Sequence, residues 1–489
     1  MKINKILLSL GMVALVAAGA EARSEKRGVC AKFTYAGEIE QIEKGSCWWY
    51  NWGNTPSAGY QYQVQNYESS MDFCPMTWNR SYSAENIRKY CKEHPEVKYL
   101  LGFNEPNFTN QANLTPAQAA EAWPAVVALA RELGLKIVAP ALNYSSNPQY
   151  STPAKWMDEF VKLVGLDAFD YTALHNYGGF GLMKSTAEEF YAKYGKQVWV
   201  TEWCYWPGGA GNVYVAPETQ ISSMVECVEW LESSECIYRY SWFMAQGVSD
   251  GNNQPNYGLL KTTVDEDKNI INTLTEQGKV YTYLWEYDPE YYHPVGQFVA
   301  ATDYHARNVA GIGSGANPDA PKPIEIKQFN GGATLDYQFD VPEAGDYNLE
   351  LVVSGMGEPT RFDPMMSICS VDANGKATKL CAARRFTLSN SDENYNTELF
   401  KVTLPAGKQT LRLKDEAPYQ PSGIRISALR LSSVAGIDAV NVESDKADAP
   451  VDVYNTQGMR VRSAVAPGEA TKGLPAGIYL VGSRKVLVK

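Results

Sequence analysis

The sequence predicts an α/β chain: a (β/α)8 TIM barrel, then an all-β sandwich of the jelly-roll type, then a small β domain at the C-terminus. Three observations support this prediction. Eight short strand-like segments alternate with helix-like segments in the first half, as in a chain of βα units. After about residue 280 the pattern changes to short alternating strands and turns, which is typical of sandwiches. All 12 tryptophans lie at or before Trp285, so the two halves also differ in composition.

The eight predicted barrel strands are short apolar runs, several of them rich in β-branched and aromatic residues. They are Arg27–Ala31, Ser46–Trp52, Met71–Trp78, Lys98–Asn104, Lys136–Leu142, Phe169–His175, Gln197–Trp203 and Ile237–Phe243. The helices between them carry start and stop signals, with Thr115 before a proline and Gly134 beyond the end of the same helix. Ser83 and Thr152 are further predicted helix starts. Residues 261–276 are polar and charged, so we expect them to form the exit from the barrel.

The N-terminus has the features of a secretory signal peptide. Two lysines precede the apolar run Ile6–Ala18, and small residues suited to cleavage follow it. The predicted boundaries are 1–22 for the signal peptide, 23–275 for the barrel, 276–434 for the sandwich and 435–489 for the C-terminal domain. No other apolar run is long enough for a spanning helix. We therefore expect a secreted protein, extracellular or at the cell surface, with no transmembrane segment.

Charge and motifs exclude several classes of function. The net charge of −11 disfavours nucleic acid, whose binding needs clustered Lys and Arg. The chain has four histidines and neither an H-E-x-x-H nor a C-x-x-C pattern, so we expect no metal and no cofactor. No G-x-S-x-G elbow and no P-loop occur. Most of the nine cysteines lie in apolar segments, which favours buried free thiols. We expect a monomer.

Two glutamates stand where predicted strands end. Glu105 follows the fourth strand in "LLGFNEPNFT", and Glu202 ends the seventh in "VWVTEWCYW". The carboxyl ends of barrel strands build the active site in TIM-barrel enzymes. Either glutamate alone would more often be a solvated loop residue or an ion-pair partner, but two at these strands, ringed by aromatic residues, favour function. Further aromatic and polar residues at strand ends are Asn51, Trp52, Trp78, Asn79, His175, Tyr177 and Trp242.

Such a carboxylate pair suits the hydrolysis of a glycosidic bond. One carboxyl protonates the leaving oxygen while the other attacks C1 or activates water, and in retaining enzymes the two lie roughly 5 Å apart. Burial and like charge would raise one of the two pKa values. The indole rings and amides at the strand ends suit a neutral sugar. His175 alone could equally be a core histidine, and Trp123 and Trp199 are predicted core residues.

Six motifs, in order over about residues 25–260, resemble glycoside hydrolase family 128. They are "WWYNWGNTP", "FCPMTWN", "YLLGFNEPN", "IVAPAL", "LHNYGG" and "VWVTEWCYW". The resemblance implies a retaining, endo-acting hydrolase of β-1,3-glucan in which Glu105 is the acid/base, Glu202 is the nucleophile and Asn104 contacts the sugar 2-hydroxyl. The positions that it implies for the sugar subsites are Asn51, Trp52, Trp78, His175, Tyr177 and Trp203.

The second half carries two weaker resemblances. "FDVPEAGDYNLELVVSG" and "GIRISALRLSS" resemble the family 6-like carbohydrate-binding modules, in which sugar contacts would come from Tyr304, Phe386, Tyr395 or Tyr419. The closing segment resembles the C-terminal sorting domains of secreted Bacteroidetes proteins. Two alternatives to a β-1,3-glucanase stay open: a related barrel hydrolase of a β-1,4-linked glucan or xylan, and a surface glycan-binding protein on an inactive barrel.

Overall fold

A computed structural model describes most of the chain. The described residues are 24–56, 68–207, 213–248, 255–355, 364–385, 388, 394–417, 423–434, 451–455, 460–466, 469–474, 477–481 and 484–488. No helix in these ranges is long and apolar enough to cross a membrane. All nine cysteines lie within them as free thiols, and seven are buried.

The N-terminal half forms an eight-stranded parallel sheet in the order β3-β2-β1-β8-β7-β6-β5-β4. Its strands are β1 (Arg27–Cys30), β2 (Trp48–Tyr50), β3 (Asp72–Phe73), β4 (Tyr99–Leu101), β5 (Lys136–Leu142), β6 (Tyr171–Asn176), β7 (Val198–Trp203) and β8 (Ile237–Phe243). The two end strands, β3 and β4, are joined by a parallel bridge between Met76 and Leu101. The sheet therefore closes as a TIM-like barrel, as predicted, and β5 and β8 have the predicted bounds.

Helices connect most of the strands and cover the outside of the barrel. They are α1 (Ala36–Ile42), α2 (Ala84–Glu93), α3 (Pro116–Leu133), α4 (Pro153–Val164), α5 (Phe180–Tyr194) and α6 (Pro217–Ser233). Thr115 caps α3 and Ser83 caps α2 through their hydroxyls, as predicted. Gly134 ends α3 with a φ of 69°, a left-handed conformation that favours glycine. Thr152 precedes α4 as predicted but makes no side-chain cap.

The segment after β8 differs from the prediction of a simple exit. It forms a hairpin of β9 (Leu260–Val264) and β10 (Ile270–Leu274), followed by helix α7 (Glu276–Tyr283). The hairpin is mostly exposed, so it lacks the alternation of buried and exposed residues that reveals a half-buried strand. Helix α7 packs against α6, and Tyr281 is fully buried in the core. The predicted boundary at residue 275 thus separates α7 from the barrel helix that it contacts.

The remaining strands form two mainly antiparallel six-stranded sheets and one four-stranded sheet. The first sheet has the order β11-β16-β21-β18-β19 with β13 beside β16, the second β14-β15-β22-β17-β20 with β12 beside β22, and the last β24-β23-β25-β26. The bounds are β11 (His293–Pro294), β12 (Phe298–Ala300), β13 (Ala306–Asn308), β14 (Gly311–Ser314), β15 (Ile324–Phe329), β16 (Thr334–Val341), β17 (Gly345–Ser354), β18 (Met365–Val371), β19 (Ala377–Arg385), β20 (Asn396–Leu404), β21 (Gly407–Asp415), β22 (Ile424–Ser433), β23 (Val451–Asn455), β24 (Arg460–Val465), β25 (Gly477–Val481) and β26 (Arg484–Val488).

This all-β region is tied to the barrel through Glu229 on α6. Arg307 donates to both oxygens of that carboxylate, at 2.7 and 2.8 Å, and the phenol of Tyr304 donates to Oε1 at 2.7 Å. Tyr304 is therefore a buried contact residue rather than an exposed platform for sugar. The phenol of Tyr395 donates to Glu325 over 2.6 Å. Two other candidate platforms, Phe386 and Tyr419, lie outside the described residues.

Candidate active site

The barrel mouth opens into a cleft of about 990 Å³ that contains both predicted glutamates. Glu105 comes from the turn after β4 and Glu202 from β7, and their exposed fractions are 7% and 5%. One end of the cleft is built by residues after β1 and β8, among them Lys32 and Met244. The turns after β4 and β5, on the other side of the barrel, also line the cleft, and Glu105 lies in the first of these turns.

Three hydrogen-bond donors hold the carboxylate of Glu202. The phenol of Tyr177 donates to Oε2 over 2.6 Å, and the indole N–H of Trp52 donates to Oε1 over 2.7 Å. The phenol of Tyr50 shares its one proton between the carbonyl of Thr201, at 3.1 Å, and Oε1 of Glu202, at 3.3 Å. These donors come from the ends of β2 and β6, on either side of the barrel. Hydrogen bonds to an ionised acceptor are roughly twice as strong as neutral ones, so the three fix the orientation of the carboxylate.

The side-chain contacts of Glu105 with Asn143 and His175 both use the same carboxylate oxygen. Asn143 donates to its Oε1 over 3.0 Å, and Nδ1 of His175 lies 2.9 Å from the same atom. Neither contact uses Oε2. Nδ1 of His175 also lies 3.2 Å from Oε2 of Glu202, so the imidazole bridges the two carboxylates. One nitrogen of His175 and one oxygen of each glutamate all lie within 4.8 Å of one another.

Burial and charge shift the pKa values of this triad in different directions. Burial raises the pKa of Glu202, and the charge of Glu105 adds to this, against the charge of His175 and the bonds from Tyr177 and Trp52. Burial acts the same way on Glu105, but the hydrogen bond and charge of His175, with the bond from Asn143, lower its pKa overall. Burial opposes a charge on His175, yet the two carboxylates raise its pKa. These shifts favour an ionised Glu105 beside a protonated His175.

Two residues of the site have backbone conformations that side-chain-bearing residues rarely adopt. The φ angle of Glu105 is 42° and that of Trp52 is 63°. Left-handed conformations cost such residues roughly 1–2 kcal/mol each, and they persist where the surrounding structure imposes them. Here they turn the Glu105 carboxylate and the Trp52 indole towards the same cleft.

Most of the predicted site residues meet in the cleft. Trp52, Trp78, Asn104 and Tyr177 line it with the two glutamates. The side chain of His175 is fully buried against both carboxylates.

The structure places Asn51 and Trp203 outside the cleft lining. The amide of Asn51 donates to the carbonyls of Thr55 and Pro56, so it shapes the loop after β2. Successive side chains of a strand face opposite sides. Glu202 faces the barrel interior, and Trp203 faces the helices, where its ring packs 4.7 Å from that of Trp242. Trp242 is likewise a core residue with no exposed surface.

Several residues that the structure brings to the site were not predicted, and four of them bear on the proposed chemistry. Asn143 holds Glu105, Tyr50 holds Glu202, and Tyr144 and Gln111 line the cleft. Asn143 directly follows β5, so the rule that strand ends build the site would have found it. Tyr50 lies inside the predicted strand Ser46–Trp52 but ends the observed β2, and the closed barrel brings its phenol to a residue of β7.

The bridging triad has the ligand types for a metal ion, since Glu105, His175 and Glu202 each offer an atom within 4.8 Å of the others. The groups around the Glu202 carboxylate are hydrogen-bond donors, which stabilise its charge without a cation. Both oxygens of Glu202 already accept from phenol or indole donors. A cation would also have to replace the imidazole proton between the carboxylates. The donor set therefore favours a hydrogen-bonded acid pair.

Comparison with known proteins gives the chain a family and several relatives. The sequence model of the family described as "Glycosyl hydrolase catalytic core" matches residues 28–281. The Alkali-sensitive linkage protein 1 of Schizosaccharomyces pombe is 25% identical over 221 residues, which are 43% of this chain and only 37% of that protein.

Two solved structures are also similar over the barrel half. A family 128 endo-β-1,3-glucanase (subgroup II) from Pseudomonas viridiflava is 31% identical, covering 54% of this chain and 99% of that one, with a TM-score of 0.44. A family 128 curdlan-specific exo-β-1,3-glucanase (subgroup III) from Blastomyces gilchristii is 25% identical, covering 53% and 98%, with a TM-score of 0.40.

Proposed function

The chain belongs to the glycosyl hydrolase catalytic core family, and on that premise we propose that this glycoside hydrolase cleaves β-1,3-glucan with retention of configuration. Glu105 is the acid/base and Glu202 is the nucleophile in this proposal. The observation that carries it is the pair of carboxylates in the cleft, with one oxygen of each within 4.8 Å of the other. Retaining glycosidases place their carboxyl groups about 5–5.5 Å apart, whereas inverting enzymes leave room for a water between them.

The hydrogen bonds support this division of roles. A nucleophile needs an oriented, ionised oxygen, and Glu202 is the carboxylate that accepts from Tyr177, Trp52 and Tyr50. An acid/base needs an oxygen that can reach the glycosidic bond. Asn143 and His175 both contact Oε1 of Glu105, so Oε2 is the oxygen that can serve this role. In the first step Glu202 attacks C1 while Glu105 protonates the leaving oxygen. In the second step Glu105 takes a proton from water, which attacks C1 and releases Glu202.

The pKa shifts of the two glutamates run opposite to what the first step needs. The pKa of Glu105 is lowered and that of Glu202 is raised, although the acid must start protonated. A bound sugar removes water from around Glu105, which raises the pKa of that carboxyl. Nδ1 of His175 lies within 3.2 Å of both carboxylates and can pass its proton to Glu105. Substrate binding thus sets the protonation state for catalysis.

The substrate class is proposed from the cleft and the motifs. The cleft is lined by the indoles of Trp52, Trp78 and Trp206 together with amides and hydroxyls, a surface that suits a neutral sugar. We propose endo action from the resemblance to family 128, and residues from several strand ends line a cleft of about 990 Å³ around the catalytic pair. The β-1,3 linkage is proposed from the six family 128 motifs, and a β-1,4-linked glucan or xylan is the alternative.

A panel of polysaccharides tests the proposal. Purified protein is incubated with linear β-1,3-glucan, mixed-linkage glucan, β-1,4-glucan and xylan, with the Glu202→Gln variant as control. The proposal expects oligosaccharides from the β-1,3-glucan alone and none from the variant. Products only from a β-1,4-linked polymer would reassign the substrate. Retention on a β-1,3-glucan column with no product from any polymer would reassign the protein as a binder.

Two further proposals concern the rest of the chain. We propose that the protein is exported through the N-terminal signal peptide and acts outside the cell. The all-β region is proposed to support or extend substrate binding, in line with its sequence resemblance to carbohydrate-binding modules. Fractionation of the native host and binding of the region comprising residues 284–434 to insoluble glucan test the two proposals separately.

A further inference from the structure

The side chain of Asn107 continues the pairing of β4 and β5 beyond the ends of the two strands. Asn104 and Ala141 form a parallel bridge, and the backbone N–H of Glu105 donates to the carbonyl of Ala141 over 2.9 Å. Two residues further along each chain segment, Nδ2 of Asn107 donates to the carbonyl of Asn143 over 2.7 Å. Evenly spaced bonds of this kind hold parallel strands together. Here a side-chain amide replaces the backbone N–H that would form the next bond, because the chain has already turned after Glu105.

The amide of Asn107 has one possible orientation in this arrangement. Its Nδ2 also lies 3.4 Å from the carbonyl of Tyr150. Backbone carbonyls only accept hydrogen bonds, so Nδ2 rather than Oδ1 must face them. Only 2% of the surface of Asn107 is exposed, and the residue lies outside the cleft lining. Any effect of Asn107 on catalysis must therefore pass through the residues that it holds.

The amide of Asn143 is likewise fixed by a backbone group. Its Oδ1 accepts from the backbone N–H of Tyr144 over 2.8 Å. A backbone N–H only donates, so the amide cannot make a half-turn without losing this bond. Nδ2 of Asn143 is thereby directed to Oε1 of Glu105, 3.0 Å away.

We propose that Asn107 is a positioning residue for the acid/base: it holds the backbone at Asn143 so that the amide of Asn143 keeps its contact with Oε1 of Glu105. The bonds to the carbonyls of Ala141 and Asn143 come from either side of the turn at Glu105. They help to impose its φ of 42°, which persists only where the surrounding structure imposes it. This inference rests on the proposed function of the same site.

The contact with Asn143 also affects the proton of Glu105. A donor at Oε1 favours the ionised carboxylate, so loss of this donor raises the pKa of Glu105. The acid then stays protonated to higher pH, and the basic limb of kcat/KM, which reports the loss of its proton, moves up. The variants below leave the other titratable groups near Glu105 or in the cleft unchanged. These groups are His175, Glu202, Tyr50, Tyr177, Tyr144 and Lys32.

The test compares two substrates on Asn107→Ala, Asn143→Ala and the double variant. Linear β-1,3-glucan has a leaving group that needs a proton from Glu105. Dinitrophenyl β-laminaribioside releases a phenolate that leaves without this proton, so its kcat/KM reports the fold and the nucleophile. Asn86→Ala changes an exposed asparagine on α2 and is the control that should match the wild type on both substrates.

The inference expects Asn143→Ala to move the basic limb on the glucan up by about one pH unit. Asn107→Ala should move it in the same direction. The double variant should move it no further than Asn143→Ala alone, because Asn107 acts through Asn143 and the two changes are coupled. All three variants should keep kcat/KM on the dinitrophenyl substrate close to that of the wild type.

Three results would overturn the inference. One is an unmoved basic limb in Asn107→Ala, and another is a double variant whose shift equals the sum of the two single shifts. The third is an equal loss of kcat/KM on both substrates in Asn107→Ala, which would show that this residue only supports the fold. A wild type that cleaves neither substrate would instead overturn the proposed function, and this inference with it.

Discussion

The phenol of Tyr177 donates a hydrogen bond of 2.6 Å to Oε2 of Glu202. Tyr177 follows β6, and Glu202 lies in the neighbouring strand β7. The bond therefore joins two adjacent strand ends at the barrel mouth. Together with the indole of Trp52 it engages both oxygens of the carboxylate that we propose as nucleophile.

Tyr177→Phe is expected to slow the chemical step. The variant removes a short bond to a charged acceptor, which is worth about 1.5–3 kcal/mol, or roughly a 10- to 150-fold fall in kcat. The bond lowers the pKa of Glu202, so its loss also moves the acidic limb of the pH profile to higher pH. Steady-state kinetics against pH measure both effects. Tyr194→Phe, which removes a phenol bound to Asp158 at 2.9 Å, is the matched control and should leave both unchanged.

Glu202→Gln is expected to abolish turnover, by on the order of 10⁴-fold or more, while raising stability near neutral pH. Burial raises the pKa of Glu202 in the folded chain. The protonated side chain therefore favours folding below the unfolded-state pKa, and this contribution is lost as pH rises through the folded-state pKa. Glutamine cannot ionise, so the gain in Tm over the wild type should grow from acid to neutral pH.

Thermal unfolding at several pH values checks this trade-off between activity and stability. Glu132→Gln alters an exposed carboxylate paired with Arg88 and should change Tm little at any pH. A Glu202→Gln protein that is less stable than the wild type at neutral pH would contradict the raised pKa of Glu202.

His175→Ala is expected to shift the acidic limb of the activity profile upwards. His175 lowers the pKa of both carboxylates, and without it two buried acids lie close together with no cation between them. Repulsion then raises the pKa of the pair, so the nucleophile ionises only at higher pH. The profile of kcat/KM against pH on linear β-1,3-glucan measures the shift. An unchanged acidic limb would show that His175 does not control the protonation of the pair.

Trp78 and Trp203 are expected to separate activity from stability. Trp78 lines the cleft, whereas Trp203 is fully buried against Trp242. Trp203→Ala should cost about 3–5 kcal/mol of unfolding free energy, measured by urea denaturation. The milder Trp203→Phe should keep kcat/KM near that of the wild type. Trp78→Ala should raise KM with little change in unfolding. A large loss of kcat/KM in Trp203→Phe with unchanged unfolding would instead show that Trp203 contacts the substrate.

The corrected residues show which information the sequence lacks. Strands β5 and β8 were predicted to the residue because apolar runs bounded by turns define them. Trp203 lies outside the cleft although its strand is close to the predicted one, because strand bounds do not say which of two neighbouring side chains faces the cleft. Counting by alternation along β7 does not settle it either, because the pairing with β8 is irregular between Val200 and Trp203, and Trp199 and Trp203 pack in different core clusters.

The contacts of Tyr50 and Gln111 lie beyond sequence reasoning for a different reason. The phenol of Tyr50 meets Glu202 only because the barrel closes and brings β2 near β7. Gln111 meets Asn104 only because three backbone hydrogen bonds fold a loop onto its own start. Neither the closure nor the loop conformation leaves a periodic signal. Glu105, Glu202 and Asn104 can be recognised in the sequence because they stand at the ends of predicted strands. The structure brings all three to the cleft.

The configuration of the first product tests the central claim most directly. Linear β-1,3-glucan is hydrolysed in an NMR tube, and the anomeric proton of the new reducing end is followed from the first minutes, before mutarotation. A retaining pair formed by Glu105 and Glu202, with oxygens within 4.8 Å of each other, predicts that the β-anomer appears first and the α-anomer later. An α-anomer that appears first would show inversion and contradict the account.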